Sequence, residues 1–214
     1  EKVLDAACGT GYGSAMLATE GRAARVIGLD ISREAIVEAS GKYGQIPNLE
    51  FMLGSVEDLP FPDDSFDLYT SFETIEHVPN PRKLLAEAVR VLKPGGILLI
   101  STPNRTLTNP GKTLGDRPFN RFHLREWSMA EFANLLREFF TDVQMFTQAP
   151  FSLRYARLLG RVGRLSHWLG FRLHQVCKVF LELSGRFPDC SVQPLQPATV
   201  GEVCFAVCRG GLKY

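Results

Sequence analysis

The first thirty residues constrain the fold most strongly, because two apolar runs flank a glycine-rich turn. The first run, Val3–Ala7, leads into Gly9 and Gly11, and a helical stretch follows. A second apolar run, Val26–Leu29, then ends at the acidic residue Asp30. This order of strand, turn, helix, strand and carboxylate is typical of a doubly wound α/β sheet that binds an adenosine-containing ligand.

The same pattern of short apolar runs and helical stretches continues along the chain, which predicts βαβ units and a parallel sheet. The predicted strands are Val3–Ala7, Arg25–Asp30, Leu49–Gly54, Phe66–Phe72, Gly96–Thr102, Thr141–Thr147 and Glu202–Cys208. The predicted helices lie near residues 12–20, 33–43, 81–92 and 129–140. The third of these helices is expected to begin after Asn80, which is a suitable N-cap, with Pro81 in its first turn.

The chemistry of the ligand is indicated by Asp5, which stands at the end of the first strand beside the glycine turn. A carboxylate at this place repels a pyrophosphate and suits a ligand that carries an ammonium and a sulfonium. In addition, Ser14 occupies the position of the third glycine in a Gly-x-Gly-x-x-Gly turn. Both observations favour S-adenosylmethionine over NAD, although a nicotinamide-dependent oxidoreductase stays an alternative.

The composition is that of a globular protein. The 214 residues are 45% hydrophobic and 22% charged, and the formal net charge of +1 predicts no nucleic-acid partner. The five cysteines form no CxxC pair, so the pattern predicts free thiols in a reducing, cytoplasmic environment. Because Glu1 stands two residues before an apolar strand, we expect the natural protein to have residues that precede it.

Four motifs occur in a characteristic order, namely Asp5–Gly11, Gly28–Asp30, Glu57–Phe61 and Val91–Gly96. Together they resemble a class I S-adenosylmethionine-dependent methyltransferase of the small-molecule type, similar to ubiquinone and sugar O-methyltransferases. The resemblance covers roughly residues 1–150 and implies a Rossmann-like, doubly wound, seven-stranded sheet. This sheet is expected to be mostly parallel, with an antiparallel last strand and a helical insertion between strands 6 and 7.

The resemblance also implies where the cofactor binds. The residues implied to contact it are Asp5, Ala7, Gly9 and Gly11 in the turn, Asp30 on the ribose, Ile31 on the adenine face, Ser55 and Val56 at the adenine edge, and Phe72 after the fourth strand. Two residues depart from the family pattern. Ala7 replaces a glycine, and its methyl group can fit if φ is negative. Ser55 replaces an aspartate, and a serine hydroxyl accepts a hydrogen bond from the adenine amino group more weakly.

Candidate catalytic residues follow the fourth strand and lie in the long loop after the fifth. If the acceptor is a hydroxyl, a base is needed near the methyl group, and His77 and His123 are our candidates because histidine titrates near neutral pH. Glu73, Glu76 and His77 also have a spacing that a divalent cation can use if one helical turn brings them together. We nevertheless predict no metal, and we interpret Glu126 as part of a surface pair with Arg125.

We expect one methyltransferase domain over 1–214, with a cofactor-binding core at 1–150, a helical cap at 151–197 and the last strand at 198–214. Within the cap, the insertion at 151–186 has basic and apolar stripes over Phe151–Leu169 that predict an amphipathic helix, and a second, more apolar stretch follows Gly170 at Leu173–Leu183. This helix is expected to cover the substrate pocket or to form a homodimer contact. A sharper hypothesis is peripheral membrane contact, with arginines on anionic head groups.

The function that these residues predict is transfer of a methyl group from S-adenosylmethionine to a small-molecule acceptor. The resemblance points to a hydroxyl of a sugar, a glycolipid or another metabolite. A catalytically silent methyltransferase-like binding protein is an alternative, because Ala7 and Ser55 depart from the family pattern.

Overall fold

The computed structural model describes residues 1–21, 23–148, 151–152, 192–194, 199–200 and 203–212. The strands are β1 Lys2–Ala6, β2 Arg25–Asp30, β3 Leu49–Leu53, β4 Phe66–Ser71, β5 Leu92–Pro103, β6 Phe140–Gln148, β7 Phe151–Ser152, β8 Val192–Pro194, β9 Thr199–Val200 and β10 Val203–Gly211. The helices are α1 Tyr12–Thr19, α2 Arg33–Tyr43, α3 Pro81–Val91, α4 Arg105–Thr108 and α5 Met129–Arg137.

The chain divides into two compact units. The first comprises Glu1–Ser101, Leu135–Gln144 and Ala206–Tyr214, and the second comprises Thr102–Asn134 and Met145–Phe205. The predicted division into a core, a cap and a last strand stays a prediction, because the predicted cap falls almost entirely outside the described residues.

In the first unit the strands follow the order β3-β2-β1-β4-β5-β10-β6. The pairs from β3 through β5 are parallel, whereas β10 runs antiparallel between β5 and β6. The predicted α/β fold with a mostly parallel sheet and an antiparallel last strand is therefore confirmed. Because the chain leaves β1 toward β2 and later returns to β4 on the other side, the strand order reverses at β1. A crevice for a ligand opens at such a point.

Local sequence signals explain where the helices begin. The Asn80 side chain accepts a hydrogen bond of 3.2 Å from the Lys83 N–H, and Pro81 occupies the first turn of α3, as predicted. Ser32 caps α2 through a bond of 3.1 Å from the Ala35 N–H. Each cap satisfies a backbone donor that the first helical turn leaves without a partner.

The core of the first unit is formed where strands and helices pack their apolar faces. Phe66 and Tyr69 of β4 and Leu84 and Leu85 of α3 are all fully buried. Leu4 of β1 is also fully buried, as expected for a central parallel strand covered on both faces. This packing fixes the strand ends from which the functional residues project.

Several element boundaries differ from the prediction, among them the start of β5 and the end of α5. β5 begins at Leu92 rather than at Gly96, because Phe66 pairs with Leu92 before the register shifts in the β4–β5 ladder. α5 ends at Arg137, and Phe140, whose side chain has an exposed fraction of 1%, is already the first residue of β6.

The second unit contains α4, the loop to α5 and three short strands. α5 begins with a capping box, in which the Ser128 N–H donates to Glu131 and the Glu131 N–H donates to the Ser128 hydroxyl. β8 pairs antiparallel with the end of β6, and β7 pairs antiparallel with β9. The predicted helical insertion at 151–186 lies outside the described residues, except for Phe151–Ser152, which form β7.

Candidate functional site

A cavity of about 360 Å³ lies in the first unit at the carboxyl ends of β1, β2, β3 and β4. Its wall is made of residues that end these strands or directly follow them: Ala7, Asp30, Ile31, Gly54, Ser55, Val56, Glu57, Phe72, Glu73, Thr74, His77, Val78 and Pro79. Six of the nine residues predicted to bind the cofactor are in this set, as is one of the two predicted catalytic histidines. The remaining predicted cofactor contacts, Asp5, Gly9 and Gly11, are not.

The turn between β1 and α1 holds three residues in the left-handed region. The angle φ is +63° at Ala7, +54° at Gly9 and +83° at Gly11. The negative φ at which the Ala7 methyl group would fit easily is therefore not adopted. A residue with a Cβ atom costs about 1–2 kcal/mol in this conformation, because Cβ crowds the following carbonyl oxygen. The alanine is thus a strained residue in the wall of the cavity.

The backbone N–H groups of this turn explain its shape. Those of Cys8, Gly9 and Gly11 donate to the Leu29 carbonyl at 3.0 Å, the Asp30 carboxylate at 2.8 Å and the Cys8 carbonyl at 3.0 Å. A phosphate-binding turn directs such groups at the ligand. Here they are engaged within the protein, which disfavours a dinucleotide pyrophosphate at this turn.

Asp30 connects the turn to the end of β2. One of its carboxylate oxygens accepts the bond from Gly9, and the other accepts a bond of 2.8 Å from the Ser32 N–H. Each oxygen of an ionised carboxylate can accept a second hydrogen bond. Asp30 therefore has acceptor capacity for the two hydroxyl groups of a ribose.

Asp5 lies beneath the turn, with an exposed fraction of 6%. Its carboxylate accepts hydrogen bonds from the Ser14 hydroxyl at 2.5 Å and the Thr70 hydroxyl at 2.9 Å. Burial raises the pKa of Asp5, while the two hydroxyl groups oppose this shift. Asp5 of β1 is thus hydrogen-bonded to both α1 and β4. Its contact with the cofactor stays a prediction.

Apolar and polar groups share the rest of the wall. Ile31 and Phe72 have exposed fractions of 76% and 44%, so each presents a large apolar side chain without full burial. Ser55 begins a tight turn, because its hydroxyl oxygen accepts a bond of 3.2 Å from the Glu57 N–H. This bond fixes the place of the hydroxyl oxygen on a residue that lines the cavity, where the family resemblance puts the adenine.

The segment after β4 departs from the expected helical turn. Glu73 has φ of +51°, so Glu73, Glu76 and His77 do not follow one another in a helix. The Ser101 hydroxyl donates to the Glu73 carboxylate at 2.7 Å and accepts from the Glu73 N–H at 3.1 Å. Glu76 is fully buried while Glu73 is exposed. The helical spacing on which the cation hypothesis depended is therefore not formed.

In the second unit, His123 belongs to a polar network with Glu126. The Phe122 N–H donates to the Asn120 side-chain oxygen, so the Asn120 amide nitrogen is the atom that faces His123 Nε2 at 2.8 Å. Nε2 therefore accepts, and Nδ1 carries the proton that it donates to Glu126 at 2.5 Å. Glu126 is 2% exposed and also accepts from Asn109 at 2.6 Å, so its assignment to a surface pair is wrong.

Comparisons with known proteins agree with this geometry. Residues 4–100 match the methyltransferase domain family. Over 134 residues the chain is 41% identical to a probable S-adenosylmethionine-dependent methyltransferase of Mycolicibacterium smegmatis, covering 63% of this chain and 49% of that protein. Residues 4–100 belong to a class I S-adenosylmethionine-dependent methyltransferase domain.

A second relative of this methyltransferase domain is phthiotriol/phenolphthiotriol dimycocerosates methyltransferase 1 of Mycobacterium ulcerans. This chain and the M. ulcerans protein are 32% identical over 173 residues, which is 79% of this chain and 63% of that protein. The chain spans about half the length of the first curated relatives it matches. A Thermotoga maritima structure, named an S-adenosylmethionine-dependent methyltransferase and possible histamine N-methyltransferase, shares the fold. Its TM-score is 0.64 at 20% identity, over 100% of this chain and 82% of that one.

The cavity of the methyltransferase domain fits its cofactor. Asp30 has acceptors for ribose hydroxyls, Ile31 and Phe72 offer apolar surface, and Ser55 supplies a hydroxyl at the predicted adenine edge. When bound, S-adenosylmethionine supplies a methyl group on a sulfonium leaving group.

The sequence analysis did not identify Phe51 as a residue that packs against the glycine turn. Phe51 of β3 lies so close that a Cβ at Gly11 or at Gly28 would come within 2.6 Å or 2.7 Å of its ring. Gly28 pairs with Phe51 in the β2–β3 ladder. The signal in the sequence was Gly28, because a glycine inside an apolar strand often marks a place where another group approaches the backbone closely.

Proposed function

We propose that this chain transfers a methyl group from S-adenosylmethionine to a hydroxyl group of a small-molecule acceptor by in-line SN2 displacement. The observation that carries the proposal is the Asp30 carboxylate, which lines the cavity and keeps acceptor capacity for two further hydroxyl donors. The internal hydrogen bonds of the glycine turn support a ligand without a pyrophosphate.

The contribution of the chain to this reaction is mainly positional. Holding two reacting groups in line can contribute on the order of 7–11 kcal/mol. Asp30 holds the ribose, and the apolar side chains of Ile31 and Phe72 exclude water from the adenine. The fixed turn at Ala7 and Gly9 then defines where the reacting end of the cofactor lies.

The acceptor hydroxyl must lose a proton, and His77 is our first candidate to receive it. Its imidazole lines the cavity and is 43% exposed, so an acceptor can reach it. His123 is the second candidate, because Glu126 accepts from its Nδ1; to take a proton, its Nε2 would first give up the hydrogen bond that it accepts from Asn120. In either case the carboxyl-end loops supply the base.

A lipid-linked or other amphiphilic alcohol is the acceptor class we favour. The M. ulcerans relative is by name a methyltransferase of phthiotriol and phenolphthiotriol dimycocerosates, and it covers 79% of this chain. Peripheral membrane contact through 151–186 and a homodimer stay part of this proposal. None of the helices in the described part of the chain has the length and hydropathy that a membrane span requires.

The first test is calorimetric titration with S-adenosylhomocysteine, with NADH as the control. We expect micromolar binding of the former and none of the latter. Transfer of a labelled methyl group to a panel of sugars, glycolipids and lipid-linked phenols then tests the reaction. Binding without transfer to any acceptor would favour a silent binding protein, and binding of NADH would contradict the proposal.

The base is tested by His77→Gln and His123→Gln. We expect the variant that removes the base to lose at least 100-fold in kcat, a typical contribution of general base catalysis, while its affinity for S-adenosylhomocysteine stays unchanged. If both variants keep full activity, neither His77 nor His123 is the base.

A further inference from the structure

The loop between β3 and β4 has two parts with different surroundings. Its first residues, Gly54–Glu57, line the cavity. Its second part, from Leu59 to Asp63, runs along α3 and is bound there by Glu87 and Arg90. We call these two helix residues the α3 clamp.

Arg90 uses all of its hydrogen-bonding capacity in this clamp. Nη1 donates to the Phe61 carbonyl at 2.7 Å and to Asp63 at 2.9 Å, and Nη2 donates to the Leu59 carbonyl at 3.1 Å. Nε and Nη2 each donate to Glu87 at 2.8 Å. A guanidinium has five N–H donors, and all five therefore have acceptors. Three of the five acceptors belong to the loop.

Glu87 completes the clamp from the other side. Its carboxylate accepts the two bonds from Arg90 and a bond of 2.7 Å from the Leu59 N–H. Leu59, which is buried, is thus held at both its N–H and its carbonyl. A backbone residue bound at both groups has little freedom to move relative to the helix.

The fixed Leu59 directly follows the turn that carries the adenine-edge residue. The Asp58 N–H donates to the Ser55 carbonyl at 3.2 Å, and the Glu57 N–H donates to the Ser55 hydroxyl. The Asn80 N–H, at the start of α3, donates to Glu57 at 2.6 Å. Glu57 within this turn is therefore bound to the N-cap of α3, and Leu59 directly after the turn is bound to α3 itself.

We propose that Arg90 is a positioning residue, which sets the place of the Ser55 hydroxyl and thereby the preference of the cavity for a purine with an exocyclic amino group. The inference rests on the proposed function, since it takes the cofactor to be S-adenosylmethionine. Arg90 acts through Leu59 and the Ser55 turn, without contact to the ligand. A lysine keeps the charge but has three donors on one atom and cannot reproduce the planar fork.

The test compares S-adenosylhomocysteine with S-inosylhomocysteine, in which a carbonyl replaces the adenine amino group. We expect the wild-type chain to bind the adenosyl compound at least tenfold more tightly. The ratio of the two affinities, adenosyl over inosyl, is expected to fall at least threefold in Arg90→Lys. It is also expected to fall in Glu87→Gln. Arg82→Lys is the matched control on the same helix, because Arg82 pairs with the exposed Glu138, and its ratio is expected to stay that of the wild type.

A thermal unfolding curve for each variant separates positioning from stability. If Arg90→Lys lowers the melting temperature but leaves the ratio unchanged, the clamp stabilises the fold only and the inference is overturned. A wild-type ratio near one also overturns it. If the wild-type chain binds neither compound, the proposed function fails first, and the inference fails with it.

Discussion

The Asp30 carboxylate accepts a hydrogen bond of 2.8 Å from the Gly9 N–H, so the residue at the end of β2 holds the turn that follows β1. The same carboxylate lines the cavity. A single side chain therefore shapes the turn and offers acceptors to the ligand. Any substitution at Asp30 is expected to affect ligand binding through both routes.

We predict that Asp30→Ala weakens binding of S-adenosylhomocysteine by about 2–3 kcal/mol, the range for hydrogen bonds to a charged group. Isothermal titration calorimetry measures this directly. Glu50→Ala is the control, because Glu50 is an exposed carboxylate that pairs with Arg25 at the start of β2. Equal affinity of Asp30→Ala and the wild type would refute the ribose-binding role.

The strained Ala7 leads to a second prediction. Ala7→Gly removes the Cβ atom from a residue with φ of +63°, so we expect the free energy of unfolding to rise by about 0.5–1 kcal/mol. Urea denaturation measures the change. Ala18→Gly, in the buried face of α1, is the control and is expected to destabilise by about 1 kcal/mol. Destabilisation by Ala7→Gly would mean that the left-handed backbone at Ala7 is absent in solution.

Ser55 offers a third prediction, because a charged acceptor forms a stronger hydrogen bond than a hydroxyl. Ser55→Asp is expected to tighten binding of S-adenosylhomocysteine by roughly three- to tenfold, since an aspartate can also accept the Glu57 N–H in the same turn. Ser55→Ala is expected to weaken it. If calorimetry gives the same affinity for all three proteins, Ser55 does not face the adenine amino group.

The fourth prediction concerns pH. Hydrogen bonds from Arg90 lower the pKa of Glu87 in the folded protein. The stabilisation is thus present above the unfolded pKa of about 4.3 and is lost as pH falls through the lower, folded pKa. We expect Glu87→Gln to cost about 1–2 kcal/mol at pH 7 and progressively less below pH ~4.

Urea denaturation as a function of pH measures the difference between Glu87→Gln and the wild type. Glu38→Gln is the control, because Glu38 forms an exposed pair with Lys42 on α2, and no resolvable difference is expected at any pH. A cost of Glu87→Gln that grows toward acidic pH would contradict the assigned sign.

The elements of the sheet and the outline of the site could be predicted from the residues alone. Apolar runs and helix caps such as Asn80 are local signals. An apolar run favours burial, and a cap satisfies backbone donors, whatever the rest of the fold is, so both can be recognised without the structure. The glycine turn and Asp30 were likewise visible, since a turn of this kind between two strands has few alternatives. The comparisons confirm the family, while the individual site residues stay predictions that the variants above test.

Details that depend on partners distant in sequence became visible in the folded structure. The positive φ of Ala7 accompanies bonds that Leu29 and Asp30 make to the next two residues of the turn. The burial of Glu126 follows from its bonds to His123 and Asn109, although a carboxylate in a polar loop is ordinarily exposed. The clamp at Arg90 binds residues about thirty positions earlier in the chain. No local pattern encodes such contacts, because they exist only after packing brings the partners together.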